Sequence, residues 1–388
     1  MTPARTLVIA EAFGYNVEVY RVFLLSLRQS GYRGDVSLLA PPNRTRPDAA
    51  ALLRRHGVSL VVERRSPARH NADRFETYAQ LCSVRSPYRY CLAADFRDVV
   101  FQSDPFQELL QTTLLQRQHG ADVGRSAADG SGADGSGDER RGAWLPDLIL
   151  PLERRVVGTD PINRKVLHDC FGAAAAERLA NRTVVCSGVL LGTPAAFEAL
   201  PRLLVPLAHR CRLDKMSDQA ALNVLAYSTA REASALLLLP GLLPRSQHVH
   251  AAAAAHRRGK EAEQQRPPSE RGRPEEEQEA AAGEPALGRG LRVELQPAGA
   301  GLANTIGVFK GRESALAFER ERMRHGLVLN EDRRPSPIVH QYDRVLESTG
   351  PRGRFGRTSA LLHFRAVDRA LAGEGHAVPN HTAWLPQF

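Results

Sequence analysis

Lysine is scarce in this 388-residue chain. Only 4 of its 52 basic residues are Lys, and the Arg residues are scattered rather than gathered on one helix face. That pattern does not select nucleic acid as a partner, and coding bias accounts for it as well as any ligand does. Long apolar runs are missing too. The best, residues 234–244, is broken by Pro240, Gly241 and Pro244 and falls far short of the roughly 20 residues a bilayer needs. The five cysteines, Cys82, Cys91, Cys170, Cys186 and Cys211, form no C-x-x-C and are odd in number. Neither a disulfide scaffold nor a zinc ribbon is therefore expected, and they read as small buried residues. With no usable P-loop, no H-E-x-x-H and no nucleophile elbow, hydrolase and oxidoreductase signatures are lacking. The one literal G-x-G-x-x-G, Gly130 to Gly135, is a repeat of Asp-Gly-Ser-Gly units with no strand before it and no helix after it, so it is no dinucleotide fingerprint.

What is present is an ordinary soluble composition, 43% hydrophobic and 24% charged, which excludes wholesale disorder and fibrous classes. Residues 119–142 and 249–300 lack a usable apolar pattern and are expected to be disordered insertions within one domain spanning 1–388. Those stretches carry 11 basic and 14 acidic residues, so without them the net charge rises from +9 to +12. A basic core favours phosphorylated or polyanionic ligands. Three N-x-T sequons, at Asn43, Asn181 and Asn380, are compatible with a secretory lumen and also common by chance. The apolar residues 6–10 are too short for a signal segment and are followed at once by Glu11, so they read as a first strand.

From that strand onward the pattern alternates. Asn16 is placed to cap a helix whose apolar residues Val17, Tyr20, Phe23, Leu24 and Leu27 recur at helical spacing, and Gly31 stands where a helix stops. Strands are predicted at residues 36–40, 58–62 and 88–94, and helices at 48–55 and about 72–84. Asp104-Pro105 and Asp160-Pro161 are helix starts. Strands separated by helices at this spacing predict an α/β fold with a mostly parallel sheet flanked by helices. Ligands in such sheets bind at the carboxyl ends of strands, which directs attention to the residues after Ala10 and after Ala94.

After Ala94 comes Asp95-Phe96-Arg97-Asp98-Val99-Val100-Phe101-Gln102-Ser103-Asp104-Pro105-Phe106. Two carboxylates at the end of a buried strand are costly unless paired or bound to metal, and hard divalent cations take such oxygens. Alternatively Asp95 or Asp98 caps a turn and pairs with Arg97. Spacing alone leaves both open.

This stretch resembles the metal-motif region of algal, plant and bacterial glycosyltransferase-like proteins of the nucleotide-diphospho-sugar transferase superfamily, which have the GT-A fold. Other stretches fit the same resemblance in order. Val185-Cys186-Ser187-Gly188-Val189 resembles the superfamily's acceptor-side strand, and Asp218-Gln219-Ala220-Ala221-Leu222-Asn223 resembles the D-Q-x-x-L-N helix of glycogenin-like and lipopolysaccharide-galactosyltransferase-like enzymes. Pro337 to Arg344 is similar to the late strand whose His completes the metal site. The chain departs from the familiar Asp-x-Asp by having Asp-x-x-Asp.

The resemblance implies a GT-A-like, Rossmann-type sheet and transfer of a sugar from a nucleotide-diphosphate donor to a glycan, protein or small-molecule hydroxyl. It implies a Mn2+ or Mg2+ ion held by Asp95, Asp98 and His340. Asp218 and Gln219 are the catalytic candidates, and Arg74, Asp95, Arg97, Ser187, Gly188 and Arg344 the donor-binding ones. Taken residue by residue, His340 also reads as a structural histidine, Arg344 as a surface charge, and Asp218 as an acid placed by the helix dipole behind a Ser217 cap. Two alternatives stand beside the transferase: a non-catalytic nucleotide-sugar-binding relative, and a nucleotidyltransferase, which lacks its expected Gly-rich basic loop in residues 11–16. The expected location is a Golgi or secretory lumen if an N-terminal anchor is missing from the chain, and the cytoplasm otherwise.

Overall fold

The computed structural model describes residues 5–40, 45–62, 71–107, 146–211, 216–229, 291–306, 321–324 and 327–341. Its first half alternates as expected: β1 (Arg5–Glu11), α1 (Val17–Gln29), β2 (Asp35–Ala40), α2 (Pro47–Arg55), β3 (Val58–Val62), a short 3-10 turn (Asn71–Asp73), α3 (Arg74–Leu81), β4 (Tyr88–Ala94) and β5 (Val99–Phe101). Asn16 caps α1 by accepting from the Val19 N–H at 3.2 Å. Gly31 and Gly57 follow the ends of α1 and α2 with φ of 97° and 61°, a region where glycine alone is unstrained.

The remaining elements are β6 (Leu148–Val156), α4 (Pro161–Phe171), α5 (Ala173–Arg178), β7 (Thr183–Val185), β8 (Val189–Gly192), α6 (Pro194–Ala208) and α7 (Ser217–Tyr227). They are followed by β9 (Val293–Gln296), β10 (Ala303–Thr305), β11 (Met323–Arg324), β12 (Leu327–Val328) and β13 (Ile338–His340). Asp160 starts α4 as expected, accepting from the Ile162 and Asn163 N–H groups at 3.1 and 2.8 Å.

The main sheet has eight strands in the order β3-β2-β1-β4-β8-β6-β7, with β9 also on β6. The β3, β2, β1 and β4 run is parallel, as is β6 with β9, whereas β8 is antiparallel to both β4 and β6. Both faces are covered along β1, β2 and β4, whereas the edge strand β3 leaves Leu60 and Val62 exposed. Along β1, Leu7 and Ile9 enter one core with α3 to α7, while Val8 and Ala10 enter the other with α1 and α2. A strand buried on both sides reads as a continuous apolar run, which is why these strands stand out in the sequence. A small second sheet, β10-β13-β5, lies beside the carboxyl end of β4.

Three expectations are corrected. Four of the five cysteines are paired, Cys82 with Cys91 and Cys170 with Cys211, and only Cys186 is free. They are buried, as expected, but the fold brings together residues whose sequence spacing carries no pairing signal. Within 249–300, expected to be disordered, Val293–Gln296 forms β9 and pairs with Leu148 to Pro151. Its Val293 and Leu295 pack against the main core, an alternation too short to stand out. Ser217 is not the cap of α7. Met216 holds that position in a left-handed conformation, with φ of 63°, and gives no side-chain cap. Residues 119–142 and 249–290 lie outside the described residues.

Candidate functional site

The site forms where β4 ends. Past Ala94 the Asp95 N–H donates to the Gly188 carbonyl at 2.7 Å, tying this turn to the start of β8. Phe96 turns inward against Tyr20 and Phe23, with ring centroids 4.8 Å away in each case. This buried aromatic explains the Asp-x-x-Asp spacing: Phe96 anchors the turn, Arg97 is exposed, and Asp98 is buried again.

Asp98 directly precedes β5, whose Val99 pairs with His340 in β13. The Gln341 N–H donates to the Asp98 carbonyl at 2.7 Å. These backbone links place one ligand atom from each of Asp95, Asp98 and His340 within 4.8 Å of one another. His340 Nε2 lies 3.4 Å from Asp95 Oδ2 and 3.8 Å from Asp98 Oδ1. Its Nδ1 faces Cys186 Sγ and Thr305 Oγ1, each at 3.3 Å. With Nδ1 turned to Thr305 and Cys186, Nε2 is the ring nitrogen that faces the two carboxylates, the orientation that a partner on the other ring nitrogen gives a metal-ligating histidine.

Gly188 makes this closeness sterically feasible. A Cβ on it would collide with His340 Nε2 and Asp95 Oδ2. The close approach permitted by this glycine is thus that of the His340 and Asp95 side chains.

Arg74, the first residue of α3, bridges two carboxylates. It donates through Nη1 to Asp95 Oδ1 at 3.0 Å and through Nη2 to Asp218 Oδ2 at 2.9 Å, with a longer bond to the Ser187 carbonyl at 3.4 Å. Phe75 and Tyr78 beside it are core residues. The charges shift one another. Burial works to raise the Asp95 carboxyl, but the Arg74 guanidinium and the His340 imidazole outweigh it and hold Asp95 far below the usual carboxylate range. For His340, burial opposes charging, yet Cys186, Asp98 and Asp95 around it raise its pKa well above the ordinary 6.5. The cluster therefore draws positive charge to the point between the two carboxylates.

Asp218 and Gln219 lie in the first turn of α7 and are buried. Asp218 accepts from the Gln219 N–H at 2.9 Å as well as from Arg74. Gln219 Nε2 donates to Glu153 Oε1 at 2.8 Å and to the Val185 carbonyl at 3.2 Å.

Glu153, on β6, was not singled out from sequence. It is 1% exposed and its other oxygen pairs with Arg155 Nε at 3.1 Å. Arg155 also binds Asp160 at 2.9 Å and Gln341 Oε1 at 3.2 Å, so an ionic chain runs behind the site from α7 to the residue after His340. The only available signal was an acid inside an apolar strand.

The structure thus gathers Arg74, Asp95, Asp98, Ser187, Gly188, Asp218, Gln219 and His340. Arg97 adjoins the group but faces outward. Arg344 lies outside the described residues.

No protein-family model matches the chain, and no curated protein does. Among solved structures, the galactosyltransferase LgtC, in complex with donor and acceptor sugar analogs, is 13% identical with 97% of this chain and 99% of that chain covered, at a TM-score of 0.41. The glycosyltransferase GlyE of Streptococcus pneumoniae TIGR4 is 12% identical at a TM-score of 0.32, with 57% of this chain and 43% of that one covered. Glucosyl-3-phosphoglycerate synthase of Mycobacterium tuberculosis, in complex with Mn2+, uridine diphosphate and glucosyl-3-phosphoglycerate, is 14% identical at a TM-score of 0.31, covering 50% and 58%. The match spans less than two thirds of the last two proteins. The first two of these neighbours are glycosyltransferases by name.

Proposed function

We propose that this chain is a divalent-metal-dependent glycosyltransferase that moves a sugar from a nucleotide-diphosphate donor to an acceptor hydroxyl. The observation that carries this reading is the convergence on one point of Asp95 and Asp98, from the turn between β4 and β5, with His340 of the distant strand β13. The donor set fits the ion: two carboxylate oxygens suit Mn2+ or Mg2+, the imidazole nitrogen favours the transition metal of the two, and Gly188 clears the space they need. Asp98, Asp95 and His340 would hold it. Bound there, the cation supplies positive charge to offset that of a departing diphosphate.

The protein's own groups do the rest. Arg74 holds the carboxylates of Asp95 and Asp218 side by side through one guanidinium. Asp218 is then positioned to orient sugar hydroxyls or to accept a proton. Gln219, its amide held by Glu153 and Val185, is assigned a place near the anomeric carbon. The Asp95 side chain keeps 29% exposure, so the cluster is reached from solvent along this carboxylate.

The test is a thermal-shift screen of nucleotide diphosphates with and without Mn2+, followed by donor hydrolysis without acceptor. Stabilisation by one nucleotide that depends on Mn2+, with slow hydrolysis of the matching sugar nucleotide, is expected. Asp98→Ala should abolish both while the protein stays folded. A variant with full activity would remove Asp98 from the metal site, and binding without hydrolysis would identify a non-catalytic sugar-nucleotide binder.

A further inference from the structure

The paired cysteines bear on the sequons. Cys82 ends α3 and faces Cys91 in β4, and Cys170 in α4 faces Cys211 just beyond α6, with Cα atoms 6.3 and 4.4 Å apart. Both separations lie within the range a disulfide spans. All four residues are buried, so these pairs are built into the core rather than exposed for exchange. Stable structural disulfides belong to oxidising compartments and are rare in reducing ones.

Of the three sequons, only Asn181-Arg182-Thr183 falls among the described residues. It sits in the turn between α5 and β7. The carbonyls on either side of Asn181 are both engaged: Ala180 accepts from the Gly158 N–H at 2.8 Å and Arg182 from the Val157 N–H at 2.9 Å. Those bonds pin the turn to the end of β6. Asn181 itself is exposed. Arg182 lies over the Tyr227 ring at 5.6 Å, and the Tyr227 hydroxyl donates to the Thr183 carbonyl at 2.7 Å. The sequon is therefore a firmly held surface turn. It lies at the opposite end of β7 from Cys186 and Ser187, so a bulky group on it does not cover the candidate site.

We propose that the chain matures in an oxidising secretory compartment with the Cys82–Cys91 and Cys170–Cys211 bridges closed, and that Asn181 is an N-glycosylation site there. In forming each bridge two thiols lose two electrons and two protons to a disulfide donor, which is reduced to a dithiol. In the glycosylation step the Asn181 amide nitrogen bonds to the anomeric carbon of a lipid-diphosphate-linked oligosaccharide. The carbon–oxygen bond to the diphosphate breaks, the diphosphate leaves with the electron pair, and the amide proton passes to a base.

The experiment takes the full chain from the cells that make it, with thiols trapped by alkylation at lysis, and maps its peptides before and after reduction and glycan-releasing amidase. The expected result is that Cys82, Cys91, Cys170 and Cys211 become alkylated only after reduction. The peptide spanning position 181 should appear only after amidase treatment, with that asparagine converted to aspartate. Asn181→Gln should abolish that glycan and leave the bridges closed. Four thiols alkylated at lysis would overturn the compartment assignment, and an unmodified Asn181 in a chain with closed bridges would overturn the glycosylation site. Neither readout depends on transferase activity.

Discussion

The Asp95 N–H and the Gly188 carbonyl are joined by a hydrogen bond of 2.7 Å, and across that bond the missing side chain of Gly188 is replaced by the imidazole of His340 and the carboxylate of Asp95. Gly188→Ala is therefore expected to push these two groups apart rather than simply to fill space. The variant should remain folded, because the main sheet pairs independently of this point, but its stabilisation by Mn2+ should be lost. Titration of Mn2+ followed by calorimetry checks this, and unchanged affinity would place the cation elsewhere.

Arg74 separates Asp95 from Asp218 at distances of 3.0 and 2.9 Å. Removing one member of a buried ion pair costs about 3 to 5 kcal/mol because the remaining charge is left uncompensated. Arg74→Met should thus lower the melting temperature markedly. Mn2+ should restore more of that loss in the variant than it adds to the wild type, since it neutralises one of the orphaned carboxylates. Equal Mn2+ shifts in both proteins would separate Arg74 from the cation cluster.

Glu153 orients the Gln219 amide from behind. Glu153→Gln preserves size but allows either amide to turn, so Gln219 loses its fixed presentation. Misplacement of a reacting-site group by about 1 Å costs on the order of a hundredfold in rate. A fall of that order in kcat is expected, with KM for the donor nearly unchanged. A change confined to KM would make Glu153 part of the donor pocket instead.

Asp160 gives a pH-dependent prediction. Burial would raise its carboxyl, but the Asn163 N–H and the Arg155 guanidinium outweigh it and bring the pKa below the ordinary value. A carboxylate with a lowered folded-state pKa stabilises the fold above its unfolded pKa and loses that contribution as pH falls. Asn is an equally good helix cap, so Asp160→Asn isolates the ion pair to Arg155. The variant should be less stable than wild type by about 1 kcal/mol at pH 7, and the gap should close as the pH drops below about 4. Unfolding in urea at the two pH values checks it.

Much of the sheet was legible because β1, β2 and β4 are buried on both faces, because the edge strand β3 is a short β-branched run despite its exposure, and because the helices between them end at glycines or helix-breaking turns. Asn16, Gly57 and Asp160 each declared an element boundary by local chemistry, and each is found there. The parts that were not legible depend on distant partners. Nothing near Cys82 indicates that α3 ends against Cys91, and nothing near Cys170 points to Cys211. The four residues of β9 have meaning only beside β6. Of the candidate site, the carboxylates and His340 were readable from their motifs, whereas Glu153, Arg155, Thr305 and Gln341 became visible only once the strands carrying them were side by side.

The placement of His340 has a further consequence for the order in which the molecule forms. It stands 245 positions from Asp95 and is seated by β10 on one side and β5 on the other. Contacts this distant in sequence are made late, after local pairings have collapsed, although the entropy of closing so long a loop grows only by about 0.6 kcal/mol per doubling. The β1 to β4 sheet can assemble while the chain is still being made, but the cluster has no third ligand until its last described strand has emerged and docked. On the proposed metal role, cation binding would report on completed folding, and a chain stopped before β13 would lack the third side chain of the cluster.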